Sequence, residues 1–139
     1  MERGFLVMGA VLGLVGVGLG AFGSHALRAR LGPERLATFE IGVRYQLWHA
    51  LALFAVVFVG AVRFPERSGS TALLVSVEGG MAWPAMLAGA LFLAGTVLFS
   101  GSLYALALTG QRRWGGVAPF GGTCLLLGWL ALAFAALTA

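Results

Sequence analysis

The chain has 139 residues, 60% of them hydrophobic and 10% charged, with a mean hydropathy of +0.95, a balance that argues against a water-soluble globular domain. All nine basic residues are arginines and all five acidic ones glutamates, for a net charge of +4. The arginines are scattered between apolar runs and form no single basic face, which argues against nucleic-acid binding. At about 20 residues per span, this length accommodates four transmembrane helices and no separate soluble domain. Residues 1–139 are therefore read as one all-α transmembrane bundle, with the lipid bilayer as its solvent.

The first span is expected over residues 5–25, inside a stretch with no charge between Arg3 and Arg28. Its glycines Gly9, Gly13, Gly16, Gly20 and Gly23 are spaced four, three, four and three, so they share one helix face. Bare backbone on one face lets membrane helices approach closely, which predicts a central packing helix. A lipid or small-molecule groove along that face is the alternative. A signal peptide is a competing reading, because Ser24-His25-Ala26 loosely resembles a small-x-small cleavage site; the apolar region is longer than a usual signal core.

Between Leu31 and Tyr45, the apolar residues Leu36, Phe39 and Val43 recur at helical spacing among Glu34, Arg35, Glu40 and Arg44. With Gly32-Pro33 as a start signal, this predicts a short amphipathic helix lying in the interface between spans 1 and 2. Span 2 is expected over 45–62, followed by the polar, turn-rich stretch Arg63–Ser70. Thr71–Val77 is too short to cross and is expected near the surface. Span 3 is expected over 83–108, starting at Trp83-Pro84. The basic turn "TGQRRWGG" leads to span 4 over 119–138, with Pro119 suited to a first helical turn. The single cysteine, Cys124, lies in an apolar run and reads as a packing residue.

With four spans, the first and third loops share a side and carry six arginines, against three on the other side. The positive-inside rule then places those loops in the cytoplasm and both termini outside. In that topology Ser24, His25, Tyr45, Gln46, His49, Ser100, Ser102 and Tyr104 all fall in the cytoplasmic half and form a candidate polar cluster. Three uses are open to it. The bland one is a set of interhelical hydrogen bonds of roughly 0.6 kcal/mol each. A second is a site for a headgroup, ion or proton, and a third is haem or metal held by His25 and His49, although no further ligands complete a metal set. Enzyme chemistry has little support: Ser24 and His25 are adjacent and so do not face each other on a helix, there is no aspartate, and no carboxylate lies inside a span.

Four motifs, "GAFGSHAL", "YQLWHALAL", "FSGSLYALALTG" and "APFGG", occur in that order across nearly the whole chain. They resemble the small membrane-protein family called domain of unknown function 423. The resemblance implies a compact multi-span protein of the bacterial cytoplasmic membrane with no assigned activity. Its motif positions here are Gly23, Ser24, His25, Tyr45, Gln46, His49, Ser100, Gly101, Ser102, Tyr104, Gly121 and Gly122, with Gly101, Gly121 and Gly122 counted among the packing glycines. Ala118 stands where the commoner form has threonine, and the connection from Arg63 to Gly80 looks longer than usual. Together these readings predict a non-enzymatic membrane protein without cofactor or metal, either an accessory subunit of a larger assembly or homo-oligomer, or a lipid or small-solute binding or transport protein.

Overall fold

The computed structural model describes residues 2–61 and 80–138; the Arg63–Ser70 break, the Thr71–Val77 segment and most of the long connection lie outside them. The described residues form four long helices and no strand: α1 (Glu2–Phe22), α2 (Pro33–Ala61), α3 (Trp83–Thr109) and α4 (Ala118–Leu137). Each is long and apolar enough to cross a membrane. A single π-helical turn, Gly23–Leu27, continues α1, and a 3₁₀ turn, Arg112–Gly116, precedes α4.

The separate interfacial helix is not present. Its residues are the first turns of α2, which runs unbroken for 29 residues, a rise of about 43 Å against a hydrocarbon core of about 30 Å. Nothing between Pro33 and Ala61 breaks the helix. Its apolar stripe is spent on other helices rather than on headgroups: Phe39, Gly42 and Val43 are all buried.

Consecutive helices pack antiparallel. Along α1 and α2, a Cβ added at Gly23 would lie 3.2 Å from the Phe39 ring, one at Gly20 3.4 Å from Val43, one at Gly16 2.7 Å from Leu47, and one at Gly9 3.0 Å from the Ala50 carbonyl and the Phe54 ring. The glycine face therefore meets α2 of the same chain. Gly13 is the exception, with no atom within 4 Å of an added Cβ. The central position expected for the first span is not what the fold shows. In α1 only Gly9 and Gly16 are buried; the helix lies along α2 and reaches α3 through Phe5, which fills the space beside Gly89. The middle of the bundle belongs to α2 and α3, which hold ten buried residues each.

Along α3 and α4, two glycines face large side chains from opposite helices, Gly95 meeting Leu125 and Gly128 meeting Phe92, while Gly121 meets the backbone of Phe99, whose Cα lies 2.7 Å from an added Cβ. Gly122 makes ordinary contact with the Phe99 ring at 3.8 Å, whereas Gly101, expected to pack, is exposed with nothing within 4 Å. α1 and α4 thus flank a central pair, and α4 is held to α3 much more closely than to α2.

The two kinds of glycine respond differently to substitution. Gly121→Ala drives a methyl into backbone, which cannot yield as a flexible side chain can, and is expected to cost about 1–3 kcal/mol. Gly13→Ala meets open space and gains helix propensity, so it is expected to be neutral or stabilising by roughly 0.5 kcal/mol. Reversible unfolding in mixed micelles, monitored by circular dichroism, checks both.

Candidate functional site

The polar side chains of the spans do not form one cluster. They separate into distinct groups, most of which tie α2 to another helix. Gly42 is the starting point of the first: with no side chain there, the Tyr104 ring of α3 lies directly on the α2 backbone, its Cε1 2.7 Å from where a Cβ would stand. Phe39 packs on the same ring at 4.9 Å between centroids. The Tyr104 hydroxyl is thereby delivered to Gln46, donating to Oε1 at 2.9 Å. Gln46 passes the connection on, its Nε2 donating to the Leu12 carbonyl of α1 at 2.8 Å. One buried amide so links three helices, using its acceptor toward α3 and its donor toward α1.

His49 lies nearly one turn beyond Gln46 and joins α2 to α4. Trp129 Nε1 donates to His49 Nε2 at 3.2 Å, and because an indole nitrogen can only donate, Nε2 must accept. His49 Nδ1 faces the Tyr45 carbonyl at 2.7 Å, which can only accept, so Nδ1 carries the proton. These two contacts define a neutral imidazole in one tautomer. Its ring also packs against Phe92 at 5.5 Å. No ring nitrogen is left to ligate a metal or haem iron.

The third connection closes the end of the bundle. Arg35, read from sequence as a topology signal and a polar residue of the expected interfacial helix, sends Nε to the Ala107 carbonyl at 2.6 Å and Nη2 to the Leu108 carbonyl at 2.7 Å. These are carbonyls in the last turn of α3, which lack partners further along the helix. Gly110, at φ 71°, supplies the left-handed residue that ends α3, its N–H donating to the Leu106 carbonyl. The first and third loops therefore share one end of the bundle.

The remaining expected members stand apart. Ser24 and His25 are exposed on the π turn, where the Ser24 hydroxyl donates to the Gly20 carbonyl at 2.9 Å. Gly23 meets Phe39, and from Phe39 to His49 the helix rises about 15 Å, so the structure does not bring the two histidines together. Ser102 donates to Phe99 of its own helix. The Ser100 hydroxyl is buried with no hydrogen-bond partner among the described residues, as is that of Thr96 one turn earlier, a residue the sequence offered no reason to single out. Trp129 was also missed, since one indole in an apolar span carries no periodic signal.

Between α2 and α4, where the helices separate, lies a groove of about 690 Å³. Tyr45, Trp48 and His49 form one wall, Leu126 and Trp129 the other, and Phe99 of α3 lies between them. The groove is aromatic and almost wholly apolar. Among the described residues, no group of three or more histidine, cysteine or acidic side chains is arranged to hold a metal ion.

Known membrane proteins are similar to this chain over most of its length. Residues 19–122 match the family described as "Protein of unknown function (DUF423)". The chain is 36% identical to the UPF0382 membrane protein YwdK of Bacillus subtilis over 132 residues, covering 95% of this chain and 94% of that one. It is 38% identical to the UPF0382 inner membrane protein YgdD of Escherichia coli K12 over 129 residues, covering 92% and 85%. No solved structure matches the chain. The chain belongs to the DUF423 family of membrane proteins.

Two substitutions separate the bonded polar groups from the unbonded ones. Tyr104→Phe removes the donor to Gln46 and is expected to lower stability by about 0.6–1.7 kcal/mol. Ser100→Ala removes a buried hydroxyl that makes no bond and is expected to leave stability unchanged or raise it by up to about 1 kcal/mol. Unfolding in mixed micelles reads both, and a Gln46→Leu/Tyr104→Phe double-mutant cycle isolates the pair.

Proposed function

We propose that this DUF423 protein is a non-enzymatic integral membrane protein that holds a long apolar chain, an acyl or polyprenyl tail, in the groove between α2 and α4. The groove itself carries the reading: its volume falls in the range of ligand pockets, its walls are aromatic, and the lining residues exposed along α2 and α4, Trp48, Leu51, Leu126 and Trp129, are large and hydrophobic. The imidazole in its wall already uses both nitrogens on protein partners, which favours a fixed hydrophobic surface over a proton-transfer site. Binding by shape and dispersion is the chemistry that such a lining supports.

The accessory-subunit reading is favoured by a different observation. Val7, Val11, Leu14 and Val17 of α1 are exposed, and Gly4 and Gly18 have nothing within 4 Å of an added Cβ, so the flank of the bundle can seat a helix of another protein. Purification from native membranes that yields only self-complexes would count against it. The charge distribution supports an orientation with both loops of the Arg35 end in the cytoplasm and both termini outside, in the cytoplasmic membrane of a bacterium. A C-terminal alkaline phosphatase fusion is then expected to be active and a green fluorescent protein fusion dark; the reverse pattern reverses the orientation.

For the groove, Leu126→Trp places a large ring in the space from its exposed wall. Lipid extracted from the purified variant is expected to lose the species that accompanies the unaltered protein, with stability preserved. An identical lipid profile from the two proteins overturns the reading.

A further inference from the structure

The motif "GSHAL" at the end of α1 buries Gly23 and Leu27, but its polar side chains, Ser24 and His25, take no part in the interior connections. Its backbone forms a π turn, in which the Arg28 N–H reaches back to the Gly23 carbonyl at 3.1 Å; such turns widen a helix locally. The widened turn and α2 border an open niche of about 340 Å³, which shares no lining residue with the groove. Gly23, Phe39 and Val43 form its floor, and three polar side chains border it: Ser24, Glu40 and Arg44. Glu40 also borders an adjoining hollow of about 430 Å³ that includes Arg28.

Glu40 and Arg44 stand one turn apart, with the acidic residue first, the arrangement that favours pairing on a helix. Yet neither makes an ion pair or side-chain hydrogen bond among the described residues, and both are exposed. Their level is the edge of the hydrocarbon: on α2 no further charge follows Arg44 until Arg63, and on α1 none precedes Arg28 back to Arg3. Charges at that boundary take their partners from lipid headgroups.

The donors and acceptors specify which headgroup. Arg44 offers a fork of N–H donors suited to phosphate. Glu40 accepts only, and Ser24 also presents lone pairs, because its hydroxyl proton is directed to the Gly20 carbonyl. One donor fork beside two acceptors is the complement of a phosphate linked to a primary ammonium. The two-carbon spacer of an ethanolamine headgroup is comparable with one helical turn, about 5.4 Å. A choline headgroup has no N–H to offer Glu40, and a glycerol headgroup has no cation.

We propose that the niche between the π turn and α2 is a headgroup site for an amine-bearing zwitterionic phospholipid of the phosphatidylethanolamine type, with the phosphate on Arg44 and the ammonium on Glu40 and Ser24. The site is independent of the α2–α4 groove. The test is native mass spectrometry of the full-length protein in detergent, titrated with dioleoyl phosphatidylethanolamine, phosphatidylcholine or phosphatidylglycerol. The ethanolamine lipid is expected to be retained roughly tenfold better than the choline lipid, as one added charge-assisted contact implies. Glu40→Gln is expected to abolish that preference while leaving choline lipid binding in place, and Arg44→Gln to lower retention of both. Equal retention of the two lipids by the unaltered protein, tighter binding of phosphatidylglycerol, or a preference that survives Glu40→Gln overturns the proposal. Glu40 is exposed and nearly isosteric with glutamine, so that variant tests the site even if Arg44→Gln fails to fold. Leu126→Trp is expected to keep the ethanolamine preference, so the fate of the groove does not decide that of the niche.

Discussion

The structure depends on how a buried amide is satisfied where water is absent. Gln46 is buried between helices of a bundle surrounded by hydrocarbon, and an unpaired amide there costs several kcal/mol. Its acceptor takes the Tyr104 hydroxyl and its donor reaches the Leu12 carbonyl, so the cost is avoided only when α1, α2 and α3 stand at one register. The same logic repeats along α2. Arg35 answers the open carbonyls at the end of α3, and His49 accepts from Trp129 of α4. Three residues of one helix thereby specify the positions of the other three, which is why α2 and not the glycine-rich first helix organises the bundle.

Close packing supplies what those few bonds cannot. Lipid tails are as apolar as leucine, so burial alone gives these helices no reason to associate; contact area and backbone approach provide it. The interfaces solve this by setting glycines against large side chains, Gly42 against Tyr104, Gly95 against Leu125 and Gly128 against Phe92, and, at Gly121, against the backbone of Phe99. Between α3 and α4 the fit is continuous and the helices are tightly joined. α2 and α4 are bridged instead by the His49–Trp129 contact, and the space around it is the aromatic groove. The groove is thus a product of unequal packing: α4 follows α3 and leaves α2 partly uncovered.

Polar residues at the edge of the membrane obey a different rule from those inside. Gln46, Tyr104 and His49 are bonded within the protein because nothing else there can bond them. Ser24, Glu40 and Arg44 border the niche beside the π turn, and Glu40 and Arg44 make no ion pair or side-chain hydrogen bond among the described residues. The π turn at Gly23–Leu27 belongs to this second region. Its serine bonds back to the Gly20 carbonyl one turn earlier, a contact that competes with the helical ladder just where the ladder widens.

The sequence by itself determined that the chain forms four helices long and apolar enough to cross a bilayer, and that Gly9, Gly16, Gly20 and Gly23 form a packing face, because span length, charge gaps and glycine spacing are local and periodic. It also singled out Gln46, His49 and Tyr104, because a polar side chain stands out in an apolar run. It did not determine which helix that glycine face meets, that the stretch from Pro33 to Tyr45 continues span 2, or that Ser24 and His25 lie a long way from His49. Nor did it mark Trp129 and Arg35 as bonding partners. Pairing between helices is a matter of register and rotation, and the partners are often backbone atoms, such as the Leu12, Ala107 and Leu108 carbonyls, which are the same at every residue and leave no trace in the sequence. Only the tertiary structure brings those carbonyls opposite their donors, and it decided that one presumed polar cluster is an internal set of helix connections and a separate, open niche at the membrane edge.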